Sequence, residues 1–176
     1  MKRIADLLLA VIGAGALWPL ALVLWAAIAA TSPGAALLRQ PRAGRGGRSF
    51  PLLKFRTMMP GREAVTPVGR WLRETALDEL PQLLNILRGE LSFVGPRPLV
   101  AHEAAAVAGM PGGDLRATVT PGLAGLAQLY GGKHPDPSAR LALDLAYVRH
   151  GGWWWDVRIV CGAVMTSVRR AWEPRA

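Results

Sequence analysis

The chain has 176 residues, a length suited to one domain with a core of its own. Its hydrophobic share is 51% and its net charge is +9, from 21 Lys and Arg against 12 Asp and Glu; that pairing excludes a disordered tail, whose mark is charge with low hydrophobicity. The single cysteine, Cys161, excludes an internal disulfide framework and a cysteine-rich zinc site, which leaves a chain that meets a membrane, an anionic ligand or both.

Lys2 and Arg3 open the chain, and no charged side chain stands between Leu7 and Leu38. The apolar run Leu7–Ala30 is long enough to reach across a bilayer core of about 30 Å, and it exceeds the roughly 7–15 apolar residues of a cleaved signal peptide. Between Arg39 and Arg73 there are nine Lys and Arg against one acid, Glu63, a local charge of +8. Both flanks of the run are therefore basic and both favour the cytoplasmic side. Pro19, near the middle, removes a backbone hydrogen bond and predicts a kink. Each half is then about 18 Å long at 1.5 Å per residue, too short to cross alone. A helix that enters, bends at Pro19 and leaves on the same face satisfies both constraints; a simple span is the alternative. No second apolar segment of this kind follows, so a polytopic transporter is not expected.

Residues 40–48 read as a Gly/Pro loop and Ser49–Met58 as a short strand. Residues 66–89 read as helical, with Val68, Trp71, Leu72, Leu80, Leu83, Leu84 and Leu87 as core candidates. Pro81 interrupts them, so a second helix is expected from Leu77–Asp78 to Arg88, with Gly89 as its stop. Glu103–Ala108 is a modest helix, Thr120–Gly132 a Gly-punctuated loop or short strand, Pro137–Arg149 a helix, and Trp153–Trp172 an amphipathic helix carrying Val157, Val160, Val164 and Val168 on one side. There is no internal repeat.

The sharpest chemical feature is Leu77-Asp78-Glu79-Leu80-Pro81-Gln82, an acid pair at the expected start of a leucine-rich helix. A helix N-terminus favours anions and can dock a phosphate. An ionised Asp78 there can attack phosphorus, and a neighbouring carboxylate can help hold Mg²⁺. Capping the first turn is the simpler use of the same two acids. In Ser92-Phe93-Val94-Gly95-Pro96-Arg97-Pro98, two prolines hold Arg97 in extended backbone and present its guanidinium with little freedom. Such a fork suits bidentate phosphate binding; a rigid connector with a surface arginine accounts for the composition equally well.

Lys2-Arg3-Ile4-Ala5-Asp6, Gln40-x-Arg42-x-Gly44, Lys54-Phe55-Arg56-Thr57-Met58, Asp78-Glu79-Leu80-Pro81-Gln82, Gly95-Pro96-Arg97-Pro98 and Pro121-Gly122-Leu123 stand in this order along the chain. The set resembles the bacterial sugar transferases, the small monotopic phosphoglycosyl transferases that start glycan assembly on polyprenyl phosphate. The resemblance implies an enzyme of the bacterial inner membrane, on its cytoplasmic face, that moves sugar 1-phosphate from a nucleotide diphosphate sugar, usually a UDP-sugar, to undecaprenyl phosphate. It implies Asp78 as nucleophile and a covalent phosphosugar intermediate, with Glu79 supporting an Mg²⁺ site shared with Asp78. It implies Lys54, Arg56, Arg73 and Arg97 as cations near the phosphates. The expected fold is α+β and mostly helical. A re-entrant, Pro-kinked helix occupies residues 1–38 and a compact, cytoplasm-facing catalytic domain with interfacial amphipathic helices residues 39–176, the two forming one unit. Membrane lipids are expected partners, nucleic acid is not, and a homodimer stays open.

Three positions depart from the family pattern. Trp18 stands where a Ser often precedes the kinking proline, Ala124 replaces Thr in Pro121-Gly122-Leu123-Ala124-Gly125, and Gly131-Gly132-Lys133 stands where Gly-Arg-Asn is usual. Lys133 is then the cation left to take over the arginine's phosphate contact. His102, His134 and His150 lack metal-ligand spacing, and Cys161 is expected to pack inside the last helix. Trp153-Trp154-Trp155 reads as an aromatic belt at a membrane interface, with core packing as the alternative. Asp144, Tyr147 and Asp156 fall where the family has similar residues and receive no role. Two rival classes remain. A basic membrane-surface scaffold would tolerate Asp78→Asn, and a nucleic-acid-binding membrane protein would leave both motif blocks without purpose.

Overall fold

A computed structural model of the chain describes residues 2–61, 64–130 and 136–172, the last six as backbone only. The chain is mostly helical, and its small sheets each have two strands. Helix α1 (Lys2–Thr31) runs unbroken through Pro19. Among the described residues it is the one helix long and apolar enough to cross a bilayer. Asp6, Ala10, Leu24 and Ile28 form its buried stripe, two pairs four residues apart and in step along one helix face. Ile4, Leu8, Ile12, Trp18, Leu22 and Trp25 on other faces are exposed.

The two ends of α1 pack on the same body. At the start, the Arg3 guanidinium donates to the carbonyls of Ile86 (2.6 Å) and Leu87 (2.9 Å), the last turn of a later helix, where a cation meets the negative end of the helix dipole. Buried Asp6 accepts from the Ser92 hydroxyl (2.9 Å) and the Phe93 amide (3.2 Å). At the far end, the Ser32 carbonyl and hydroxyl accept from Arg56 at 2.7 and 2.8 Å. A straight 30-residue helix is about 45 Å long; one that projected away from the body would touch it at one end only.

Strands β1 (Leu37–Ala43) and β2 (Ser49–Phe55) form an antiparallel ribbon in the register Leu37↔Phe55 to Ala43↔Ser49. The expected loop at 40–48 is thus half strand. Pro41 and Pro51 face one another in it, because a two-stranded ribbon has only edges, the setting in which a strand tolerates proline. Helix α2 (Pro67–Thr75) is capped by Thr66, whose hydroxyl accepts from the Gly69 amide at 2.9 Å. A side chain at position 69 would lie 2.1 Å from the Thr57 carbonyl oxygen, so only glycine lets α2 seat against the end of β2. Helix α3 (Gln82–Arg88) ends at Gly89, φ 83°. It starts later than expected: Leu77–Glu79 form a separate 3-10 turn before it.

Strand β3 (Ser92–Val94) is followed by α4 (Ala101–Ala108), α5 (Gly113–Ala117), β4 (Gly122–Ala124), α6 (Leu126–Tyr130), α7 (Pro137–His150) and α8 (Trp153–Trp172). β4 lies parallel to β3. Three apolar clusters hold the body. One joins Ala10 to Phe50, Leu52, Ile86 and Leu91; a second joins Leu24 and Ile28 to Ala36, Phe55 and Leu72; the third joins Val94, Leu126, Tyr147 and Ile159. α1 thus contributes to two of the three. Each fully buried aliphatic side chain is worth about 1.5–3 kcal/mol.

Several core expectations are corrected. Leu72 is fully buried, but Trp71 and Leu84 are 47% and 44% exposed, because α2 turns Gly69 and Leu72 inward and α3 turns Gln82, Asn85 and Ile86 inward. Cys161 is exposed on α8 rather than packed. Trp153 and Trp154 are 64% and 75% exposed, which removes core packing as their purpose. Strand β3 and helix α5 had no expected counterpart; both are five residues or fewer, too short for a periodic pattern to register.

Candidate active site

The end of β2 sends four consecutive side chains to four places. Lys54 reaches the acid pair, Phe55 enters the apolar cluster with Leu24 and Leu72, Arg56 turns to the end of α1, and Thr57 meets α2. Alternation puts Lys54 and Phe55 on opposite faces of β2, and Arg56 and Thr57 follow beyond the end of the strand, where alternation no longer governs them.

Asp78 and Glu79 sit in the 3-10 turn between α2 and α3. The turn is entered through Ala76, φ 56°, the one non-glycine residue with positive φ among those described. A left-handed alanine costs about 1–2 kcal/mol and is sustained only where its surroundings fix the backbone. Here Leu77 and Leu80, on either side of the acids, are packed into the cluster of Leu24, Ile28 and Phe55. That anchoring turns the Asp78 carboxylate inward, 4% exposed, while the Glu79 side chain stays 37% exposed. Lys54 Nζ lies 2.8 Å from Asp78 Oδ2 and 3.4 Å from Glu79 Oε1. One ammonium thus bridges both carboxylates and holds them convergent.

The acids are therefore not in the first turn of α3, as expected, but three and four residues before it. A seven-residue helix behind a proline offers them little dipole; among the described residues Lys54 is the cation paired with them. Among the described residues no group of three or more His, Cys, Asp and Glu could hold a metal. Two convergent carboxylates nevertheless fit a magnesium ion, which is held by one or two acids with waters and substrate phosphates completing its shell.

The remaining expected cations separate. Arg73 Nε donates to Thr57 Oγ1 at 2.8 Å, which brings it to the same strand end as Lys54. With Val65, Arg70 and Glu74 it lines a cleft of about 480 Å³. Arg56 is corrected: it is 5% exposed, and its two terminal nitrogens donate to Ala35 and Ser32, which ties α1 to β2 and leaves no free fork for a phosphate. Lys133 lies outside the described residues. Arg97 is exposed between buried Pro96 and Pro98, and the backbone hydrogen bond from Ala43 to Leu99 (2.9 Å) brings its loop against β1. Arg42 stands beside it. Burial first, and the Arg97 charge second, lower the Arg42 guanidinium from its usual range, with Glu103 opposing. This cationic pair was foreshadowed only by the Gln40-x-Arg42 motif.

Residues that received no role from the sequence fasten the site. Tyr147 donates to Asp156 Oδ1 at 2.8 Å and to the Val94 carbonyl at 3.3 Å; burial and the Asp156 carboxylate push its hydroxyl pKa up, so it stays a donor. Lys2 completes this link from α1, 2.6 Å from Asp156 Oδ2. Asp144 pairs with Arg116 at 2.7 Å. Burial raises the Asp144 pKa more than Arg116 lowers it. A raised carboxyl pKa means the folded state binds the extra proton, so the Asp144 contribution to stability falls as pH climbs through the window between the unfolded and folded values. The melting temperature of the native protein relative to Asp144→Asn is expected to decrease from about pH 4 upward; a difference that grows with pH would contradict this.

The family described as bacterial sugar transferase matches residues 1–170. A UDP-glucose:undecaprenyl-phosphate glucose-1-phosphate transferase from Caulobacter vibrioides is 40% identical over 181 residues, which cover 93% of this chain and 68% of that protein. A protein of the same description from Xanthomonas campestris pv. campestris is 36% identical over 187 residues, 96% of this chain and 38% of that protein. Exopolysaccharide production protein ExoY from Sinorhizobium fredii is 36% identical over 186 residues, 90% of this chain and 81% of that protein. The chain thus spans about two thirds of the first relative and little more than a third of the second.

Proposed function

The chain belongs to the bacterial sugar transferase family, and on that premise we propose that it transfers sugar 1-phosphate from a nucleotide diphosphate sugar to undecaprenyl phosphate. The observation that carries this reading is the buried Asp78 carboxylate, converged with Glu79 by Lys54. The inward carboxylate, paired with a cation at 2.8 Å in a turn outside the first turn of α3, supports attack on phosphorus over capping.

In the proposed reaction Asp78 Oδ attacks the phosphorus that bears the sugar. The bond from that phosphorus to the bridging oxygen breaks, and nucleoside monophosphate leaves with the electron pair. An oxygen of the lipid phosphate then attacks the same phosphorus, the P–O bond of the Asp78 acyl phosphate breaks, and the carboxylate leaves with the electron pair and is restored. Lys54 can follow the negative charge from Asp78 to the phosphoryl oxygens because it already spans both acids. A magnesium ion held by Asp78 and Glu79 would neutralise diphosphate charge. Arg73 and Arg97 are proposed as donor contacts, and Lys133 as a third. UDP-glucose is the first donor to try, since it is named in the descriptions of the Caulobacter and Xanthomonas relatives. The test is release of UMP from a panel of UDP-sugars with undecaprenyl phosphate present; no release from any would remove the proposal.

We further propose that α1 re-enters, with the body on the cytoplasmic face and Trp153–Trp155 among the lipid headgroups. Both ends of α1 are tied to one body, and its remaining faces are apolar and exposed. Cysteines placed at Lys2 and at Arg48, in a Cys161→Ser background, are expected to react with an impermeant maleimide from the same side of inverted vesicles. Labelling from opposite sides would establish a simple span.

A further inference from the structure

The segment carrying Arg97 is fastened residue by residue. Asp6 accepts from Ser92 and Phe93; Tyr147 donates to the Val94 carbonyl; the Gly95 amide donates to Ala124 and the Gly122 amide to the Pro96 carbonyl, both at 2.9 Å. The last link before the loop turns to β1 comes from a side chain. Arg116 of α5 donates through its terminal nitrogen to the Arg97 carbonyl at 2.6 Å. Its Nε donates to Asp144 Oδ2 of α7 at 2.7 Å. Asp144 is 7% and Arg116 12% exposed, and among the described residues Asp144 Oδ1 has no hydrogen-bond partner.

Burying an ion pair costs about as much as it returns, and an apolar pair of similar size often serves stability as well. This pair leaves a carboxylate oxygen unsatisfied and directs one terminal nitrogen of the arginine at a backbone carbonyl, that of the exposed cation. We propose that Arg116, oriented by Asp144, is a positioning residue that fixes the Arg97 backbone so that its guanidinium is presented ready-made to the diphosphate donor. The inference rests on the proposed reading of Arg97 as a donor contact. It adds a role for Arg116 and Asp144, which touch no substrate themselves. Fixing a binding group in advance lowers the ordering cost of association, so the loss should be seen in donor KM and little in kcat.

The experiment uses the full chain in lipid nanodiscs. The double variant Arg116→Met/Asp144→Leu removes both charges together and so avoids an unpaired buried ion; Arg116→Met alone is its companion. Two readouts are taken: hydrogen exchange of the peptide spanning residues 95–100, and donor KM and kcat from UMP release, each also in the Arg97→Ala background. The double variant is expected to melt near the native temperature and to exchange that peptide about tenfold faster. Its donor KM should rise about tenfold, as for one lost hydrogen bond of about 1.4 kcal/mol, and should rise no further once Arg97 is alanine. Unchanged exchange, or a KM effect that persists in full in Arg97→Ala, would overturn the proposal. If the native chain releases no UMP, the transferase reading fails and the exchange result alone decides the positioning role.

Discussion

Asp78→Asn is expected to reduce UMP release from a UDP-sugar by about 10³-fold or more while membrane association and melting temperature stay close to native. The magnitude follows from removing the group that forms the bond, the class of change with the largest kinetic cost. The amide is nearly isosteric with the carboxylate and fits the same pocket behind Leu77 and Leu80. It does leave Lys54 facing a neutral group at 2.8 Å, with Glu79 at 3.4 Å as the remaining acid. Steady-state UMP release and fluorescence-monitored melting on the same preparation separate chemistry from folding. A basic surface scaffold would lose nothing by this change, and turnover near the native level would remove Asp78 from the mechanism.

Asn85→Ala is expected to cost about 3 kcal/mol or more of stability, the largest loss from any single polar side chain of the body. Asn85 is fully buried. Its Oδ1 accepts from the Leu53 amide at 3.0 Å, and its Nδ2 donates to the Pro51 carbonyl at 2.8 Å and to Glu90 Oε2 at 2.6 Å. Among the described residues the ribbon of β1 and β2 has no third strand, so the outer edge of β2 would be left with a buried donor and acceptor. The Asn85 amide satisfies both, standing in for the missing strand and holding α3 at a fixed distance from Lys54. Alanine orphans three groups at once. Thermal unfolding in detergent checks this, with Leu84→Ala, half exposed on the same helix, as the control expected to shift little. Equal shifts for the two variants would mean that the amide is not the link.

How much of this was legible in the sequence depended on the range of the interaction. The apolar run of α1, Gly89 as a helix stop and the long helices α7 and α8 are local patterns, and the structure has them close to the expected places. The acid pair and the rigid Arg97 segment were legible because unusual residues stand next to one another. What was not legible was pairing across distance. Lys54 and Arg56 stand two residues apart in one motif and read alike as phosphate cations; β2 ends between them, so Lys54 on the strand meets the acids and Arg56 past its end meets the close of α1. Arg116 and Asp144, separated by 28 positions, have no local pattern at all. The start of α3 was misplaced because Pro81 signals a helix beginning without specifying whether the preceding turn is α or 3-10. Helical spacing places Trp71 and Leu84 in the core, but each stands on a short helix whose inward face also takes a glycine or polar residues, Gly69 on α2 and Gln82 and Asn85 on α3.

The mass of the protein after incubation with donor alone tests the covalent step most directly. Without undecaprenyl phosphate, the native chain is expected to release up to one equivalent of UMP and to gain one sugar phosphate, mapped to the peptide containing Asp78, and the adduct should disappear when the lipid phosphate is added. UMP release that begins only with the acceptor present, and no adduct in its absence, would contradict the account.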